Sequence, residues 1–383
     1  MNIFNRLAGQ FKKIQPLPEG LYHKQMEGQP LRLHLRLQAD GSGLLILNAS
    51  TVLQLNATAA EYAWHYIKGT VPEDAAKAIA ARYRISHAAA LNDYNDLADR
   101  IQTLIETPDL DPVSFLDFER VAPHSTDLTA PLRLDCALTY RVAAGSKPEV
   151  APTKRVTREL STDEWKSVLD QAWQVGIPHI TFTGGEPTLR EDLPDLIAHA
   201  EKNGQVCGLL TDGASLSKKK YLDQLLQTGL DHVLLVLHPE DDAAWKAVKL
   251  LVPADIFLTV HLTVNRTTVK DATKVIEKLS KAGVRHLSLS ASDKKYLGDM
   301  LALQAQANEL GFTLHWDLPV PYSESNPAAA ETEEDNVPSG AGKSWLYVEP
   351  DGDVLPAQGA AGRALGNILA DSWGKIYPPS LAG

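Results

Sequence analysis

The chain has 383 residues, 44% of them hydrophobic, which is enough for two or three domains with separate cores, and it carries a formal net charge of −11 at pH 7. That balance excludes a general nucleic-acid binder, which needs a basic surface to displace counterions from phosphate. No apolar run reaches the ~18 to 20 residues of a membrane span and the first residues lack a signal-peptide core, so a cytoplasmic protein is expected. Cys136 and Cys207 fall inside apolar runs and read as core residues, and two thiols build neither a disulfide framework nor a zinc knuckle.

In chain order, Met1 to Lys13 places Ile3, Phe4, Leu7 and Phe11 on one helical face beside Arg6, Lys12 and Lys13. Membrane-surface contact by residues 1–13 is one reading; a short helix docked on protein is favoured by the small apolar area. Leu31 to Leu37, Leu44 to Leu47 and Thr51 to Leu55 alternate as short strands. Three helices are then predicted: one capped by Thr58 and running to Ile67, one over Pro72 to Tyr83, and one over His87 to Ile105. Glu106 to Ala130 has no sustained period and reads as a linker.

Six strands follow, at Leu132 to Tyr140, His179 to Thr183, Val206 to Thr211, His232 to Leu237, Ile256 to Val264 and His286 to Ser290. They alternate with helices near Thr162 to Gln174, Glu191 to Asn203, Lys218 to Thr228, Asp242 to Leu250, Val269 to Ala282 and Tyr296 to Leu310, with Gly176, Gly204, Gly229, Gly283 and Gly311 as C-terminal caps after the helices. This order predicts an α/β fold, a partial (β/α)6 TIM-like barrel with function at the carboxyl ends of its strands. A seventh strand is expected within Phe312 to Asp317. Ser323 to Gly342, with Glu331, Glu333, Glu334 and Asp335, reads as a mobile acidic loop, and Trp345 to Pro356 reads as a hairpin turning at Asp351-Gly352.

The stretch from Gly176 to Arg190, containing Gly184-Gly185-Glu186-Pro187, resembles the second strand of radical S-adenosylmethionine (SAM) enzymes. The resemblance implies a 4Fe–4S cluster held by three cysteines spaced Cys-x3-Cys-x2-Cys after the first strand, with SAM chelated to the open iron. In this chain Val142, Ser146 and Glu149 stand at those positions, and they cannot replace three soft thiolates. The resemblance also implies that Gly184, Gly185, Glu186 and Pro187 receive the SAM amino group. Other positions of the implied pocket have drifted: Asp212 stands in a Thr-Asp-Gly turn where Thr-Asn-Gly is usual, His238 replaces part of a Ser-x-Asp-Gly end, and Asn265 is retained. Glu186 with Asp212 is a candidate acid–base pair. Of His179, His232, His238, His261, His286 and His315, only His238 is expected to share the mouth with Asp212, so no metal site is expected.

The first strands and helices, with Leu55-Asn56-Ala57-Thr58 and Asp93-Tyr94-Asn95-Asp96-Leu97, resemble a PqqD-like winged-helix peptide-recognition domain; the barrel is similar to the PqqE-like one. The resemblance implies that a precursor peptide adds as a strand beside Thr51, Val52, Leu53, Gln54 and Leu55. The tail resembles a SPASM or twitch extension, in which Ala357 stands where the auxiliary cluster's cysteine is implied. The expected organisation is a PqqD-like domain at 1–107 with an arm at 1–30, a linker at 108–130, the barrel at 131–322, the loop at 323–343 and a SPASM-like remnant at 344–383.

The expected function is that of a cluster-free pseudoenzyme binding a precursor peptide or a partner maturase, with a homo- or hetero-oligomer as the assembly to look for, catalysis in another chain and no cofactor. The alternatives are an iron-independent enzyme using the rewritten mouth for SAM or another small ligand, and a structural subunit of a larger complex.

Overall fold

A computed structural model describes residues 16–25, 32–48, 51–107, 128–142, 147–315, 318–330 and 338–378. The expectations for residues 1–13, for Ser146, for most of the linker and for Glu331, Glu333, Glu334 and Asp335 lie outside these residues. The chain divides into two compact units, Met1–Ala122 and Pro123–Gly383.

The first unit is an antiparallel sheet of β1 (Gly20–Gln25), β2 (Arg32–Leu37), β3 (Gly43–Leu47) and β4 (Thr51–Leu55) in sequential order. Its register stacks Leu35, Leu45 and Leu53 across three strands. These leucines bury into one cluster with Ala60 and Ala63 of helix α1 (Ala57–Ile67) and Ile101 and Leu104 of α3 (His87–Glu106). Helix α2 (Pro72–Tyr83) packs Ala75, Ala76 and Ile79 against Tyr62 and Tyr94. Strand β1 was not expected, because Gly-Leu-Tyr-His-Lys-Gln has no alternating apolar face; it is an edge strand placed by pairing with β2. The cap of α1 is Asn56, whose Oδ1 accepts from Ala59 N, and not Thr58. Among the described residues β4 pairs only with β3, which leaves its other edge open.

The second unit is built on a ten-stranded sheet. Strands β5 (Arg133–Thr139), β6 (His179–Gly184), β7 (Val206–Thr211), β8 (His232–Val236), β9 (Phe257–Val264), β10 (His286–Ala291) and β11 (Thr313–Leu314) pair in parallel in that order. Helices α4 (Thr162–Gln174), α5 (Leu193–Asn203), α6 (Lys219–Gln227), α7 (Asp242–Leu251), α8 (Ala272–Ala282) and α9 (Leu297–Glu309) connect them. Ser161 and Glu164 form a reciprocal capping box on α4, and the five expected cap glycines all take positive φ. Strand β12 (Trp345–Val348) pairs in parallel with the free side of β5; β13 (Asp353–Leu355) and β14 (Gly366–Asn367) continue antiparallel. A short helix, α10 (Trp373–Ile376), follows.

The sheet's two sides differ in chemistry. Leu134, Cys136, Leu138, Ile180, Phe182, Cys207, Leu209, Val233 and Leu235 bury into the core under the helices. Alternation turns Asp135, Ala137, Thr181, Thr183, Leu210, Leu234, His261 and Tyr347 to the concave side. No helix among the described residues is long and apolar enough to cross a membrane.

Candidate functional site

The mouth of the barrel is formed where β5, β6 and β7 end. As the chain leaves β6, Gly185 N donates to the Thr139 carbonyl at 2.8 Å and Glu186 N to the Arg141 carbonyl at 2.8 Å. A Cβ on Gly184 would collide with the Thr139 carbonyl oxygen, and one on Gly185 with that of Arg141; Gly184 also holds φ at +130°. The approach that demands these two glycines is therefore made by the chain's own backbone.

Glu186 is buried, with 4% of its surface exposed. Its Oε1 accepts from Thr188 N at 2.9 Å, Thr188 Oγ1 at 2.5 Å and Thr211 Oγ1 at 2.9 Å, and its Oε2 accepts from Asp212 N at 2.9 Å. Loss of water and the negative charge of Asp212 push the Glu186 carboxyl up to about 8, against the pull of the donors from Thr188 and Asp212. Pro187 opens the short 3-10 turn Pro187–Leu189. Glu186 and Asp212 are thus brought together: the Asp212 backbone N–H binds Glu186, and the Asp212 carboxylate, which accepts from Ala214 N at 2.8 Å, lies near enough for its charge to raise Glu186.

Asn265 is occupied locally: Oδ1 accepts from Thr267 N at 2.8 Å and Thr268 N at 3.0 Å, and Nδ2 reaches Ser325 Oγ at 3.4 Å. His238 is half-buried just beyond β8. Among the described residues neither hydrogen-bonds to Glu186. His261 lies deeper, between Ser288 Oγ at 3.0 Å from Nδ1 and Ser290 Oγ at 3.0 Å from Nε2, and burial lowers it to about 4, so the ring is neutral at pH 7. His179 pairs with His232 at 2.6 Å and His286 with His315 at 3.0 Å; His179, His232 and His286 open their strands, at the end away from the mouth. Among the described residues the group of metal-ligating side chains within mutual reach is Glu349, Asp351 and Asp353. Glu349 is already engaged there by Tyr140 and Arg155.

The loop after β5 is where sequence reasoning saw least. Tyr140 Oη donates to Glu349 Oε1 at 2.8 Å, Arg155 Nε reaches the same oxygen at 2.6 Å, and Arg155 Nη2 donates to Tyr322 Oη at 3.1 Å. The rings of Tyr140 and Tyr322 meet edge to face with centroids 5.5 Å apart. Tyr347 and Leu355 complete this buried cluster, and Val142 and Ala361 pack on it. Burial raises Glu349, and the Arg155 guanidinium opposes the rise. None of Tyr140, Arg155, Tyr322, Tyr347 or Glu349 was legible as a site residue, because Tyr140 and Arg155 meet Glu349 across 209 and 194 residues of chain.

Leu318 and Val320 pack on Leu210, Leu234 and Val236, and Tyr322 N donates to the Gly184 carbonyl at 2.9 Å. Residues 323–330, expected within the mobile loop, carry a Ser323–Asn326 bridge and a 3-10 turn at Ala328–Ala330.

Residues 136–292 match the family model described as the radical SAM superfamily. The PqqA peptide cyclase of Streptomyces rochei is 28% identical over 261 residues, covering 60% of this chain and 70% of the relative. That of Xanthomonas oryzae pv. oryzae (strain MAFF 311018) is 28% identical over 290 residues, covering 65% and 75%. The crystal structure of Streptococcus suis SuiB aligns with a TM-score of 0.56 at 14% identity over 96% of this chain and 89% of that one. The structure of SuiB bound to precursor peptide SuiA gives 0.55 at 13% identity over the same shares.

The barrel is a radical SAM domain. The chain as a whole is similar to PqqA peptide cyclases in sequence and to SuiB in fold.

The cluster implied by that family does not fit the residues present. Val142 sits in an apolar cluster, Glu149 is exposed in a 3-10 turn, and Ala357 has a methyl group where a thiolate is implied. Cys136 and Cys207 are buried on the helix side of the sheet, and burial raises the Cys136 thiol well above its ordinary value.

Proposed function

We propose that this chain is a cluster-free member of the peptide-maturase family that binds a precursor peptide or a partner maturase and leaves radical chemistry to another chain. The observation that carries this reading is the cluster of Tyr140, Tyr322 and Tyr347, tied by Arg155 to Glu349, that packs Val142 where the family's first cysteine would stand. A loop rebuilt around a buried ion pair and three aromatic rings has a structural role of its own.

The first unit supplies the binding half of the proposal. Strands β2 to β4 and the three helices resemble the PqqD-like arrangement, and the open edge of β4 offers backbone donors and acceptors to an added peptide strand. The three strands from β12 to β14 serve as a SPASM-like remnant that seals the free side of β5. That a solved neighbour, SuiB, is recorded with its precursor peptide SuiA supports a peptide as the partner. Glu186 acts in this reading as a buried hub of the turn.

Native mass spectrometry of the chain drawn gently from its host under anaerobic conditions tests the proposal. The expected species is an iron-free chain carrying a peptide or a second protein. A chain that retains iron and sulfide, or one that never carries peptide or partner, would count against it.

A further inference from the structure

Helix α9 (Leu297–Glu309) packs on α8, β10 and β11, and its inward face is ordinary: Leu303 and Ala307 are buried, with Met300 packed beside them. Its outward face differs. Leu297 and Leu301, one turn apart, stand 48% and 55% exposed, and Ala305 and Glu309 continue the same row at a spacing of four residues. Gly298 and Ala302 form the row beside it, and a Cβ on Gly298 would meet nothing within 4 Å. The chain's own packing gives no reason for so poor a helix former at that position. Scattered exposed leucines are ordinary, but two on one ridge flanked by small residues form a face that a second surface can cover.

The charges at the two ends of α9 point to what covers it. Lys294 and Lys295 stand in the short 3-10 turn before the helix, Glu309 closes it, and its last turn holds no basic residue. Asp299 in the first turn suits the helix dipole, whereas Lys294 and Glu309 both oppose it. Lys295 is held by Asp293 at 3.2 Å, while Lys294 and Glu309 make no ion pair among the described residues. Lys294 lies one 3-10 turn before Leu297 and so extends the apolar row at its other end. A row that runs from a cation through leucines and small residues to an anion is complementary to itself when turned end for end. With Lys294 opposite the partner's Glu309, Leu301 falls opposite the partner's Ala302 and Gly298 opposite the partner's Ala305. Each leucine at the centre then meets a methyl group, and the two backbones can approach closely.

We infer that the outward face of α9 is the contact face of a two-fold symmetric homodimer in which the two copies of the helix run antiparallel. One helix pair lies at the low end of interface sizes, so a dissociation constant on the order of 10 micromolar is expected. The inference rests neither on peptide binding at β4 nor on the absence of a cluster.

Sedimentation velocity of the full chain at concentrations from about 1 to 100 micromolar tests it. The weight-average mass should climb from 41.7 kDa toward twice that value. L297E/L301E should weaken dimerisation at least about tenfold with an unchanged far-ultraviolet circular dichroism spectrum, since both side chains are exposed. K294E and E309K should each weaken it about fivefold, whereas the double variant K294E/E309K, and an equimolar mixture of the two single variants, should regain the unaltered affinity. Recovery in the mixture requires Lys294 and Glu309 to meet between chains. A chain that stays monomeric at about 100 micromolar would overturn the inference and leave a different protein as the occupant of this face. A dimer that survives L297E/L301E, or charge variants that do not rescue each other, would overturn it as well.

Discussion

The turn at Gly184–Pro187 and the start of the loop that follows β5 lie side by side at the mouth, joined by backbone hydrogen bonds, and the family motif survives in one and not in the other. In the turn, Gly184 and Gly185 leave room for the carbonyls of Thr139 and Arg141, so the motif is required by neighbouring backbone whether or not a ligand binds. In the loop, the motif consisted of side-chain chemistry alone. Val142 and Glu149 are compatible with the fold at positions where only iron would have demanded sulfur. A retained backbone motif therefore reports folding constraints, whereas a side-chain motif of that kind is held in place only by the ligand it binds.

The largest effect expected from this contrast is at the turn itself. Gly184→Ala combines a backbone collision with a positive φ and should cost roughly 3–5 kcal/mol in guanidinium unfolding, with Gly185→Ala close behind. A loss below about 1 kcal/mol would mean that the turn is shaped for a ligand and not by its neighbours. In the loop, Arg155→Met strands the buried Glu349 carboxylate and should cost about 3 kcal/mol, most of it recovered in the double variant R155M/E349L. Failure of that recovery would remove the ion pair from the account.

Glu186 gives a pH signature. Its folded-state value of about 8 lies above its ordinary 4.5, so the folded chain holds the proton more tightly. Its contribution to stability is full below about 4.5 and is lost as pH rises through 8, by an amount on the order of 2–4 kcal/mol. Unfolding curves at pH 5 and pH 8 should show this fall in the unaltered chain and a flatter profile in E186Q. An unchanged profile in E186Q would assign the pH dependence elsewhere.

The smallest effect on stability is expected from putting the thiols back. V142C/S146C/E149C should shift unfolding by less than about 1.5 kcal/mol, because Val142 is replaced by a side chain of similar volume and Glu149 is exposed. Anaerobic assays of that variant should still detect no SAM cleavage, since Tyr140, Tyr322 and Tyr347 continue to fill the loop. Cleavage by the triple variant would show that the loop lost its ligands and nothing else.

Much of the barrel was legible because its signals are local. Apolar runs from His179 to His286 and the glycines that close five of the six helices placed strands and helices nearly to the residue. Strand β1 escaped because its side chains carry no alternation and its place comes from pairing alone. At the site, Gly184 to Pro187 stood out by motif, and the bond from Thr188 to Glu186 is two residues long. The bonds of Arg155 and Tyr140 to Glu349 join residues about half the chain apart, which no local pattern records. The same holds for Tyr322 above Gly184, whose partner is fixed by the path of the chain over the barrel.

The central claim is inorganic, and iron and acid-labile sulfide content of anaerobically reconstituted chain, assayed together with release of 5′-deoxyadenosine from SAM under strong reductant, tests it most directly. The account predicts substoichiometric iron that desalting removes, and no 5′-deoxyadenosine. Four irons with matching sulfide retained per chain, or turnover of SAM, would contradict it.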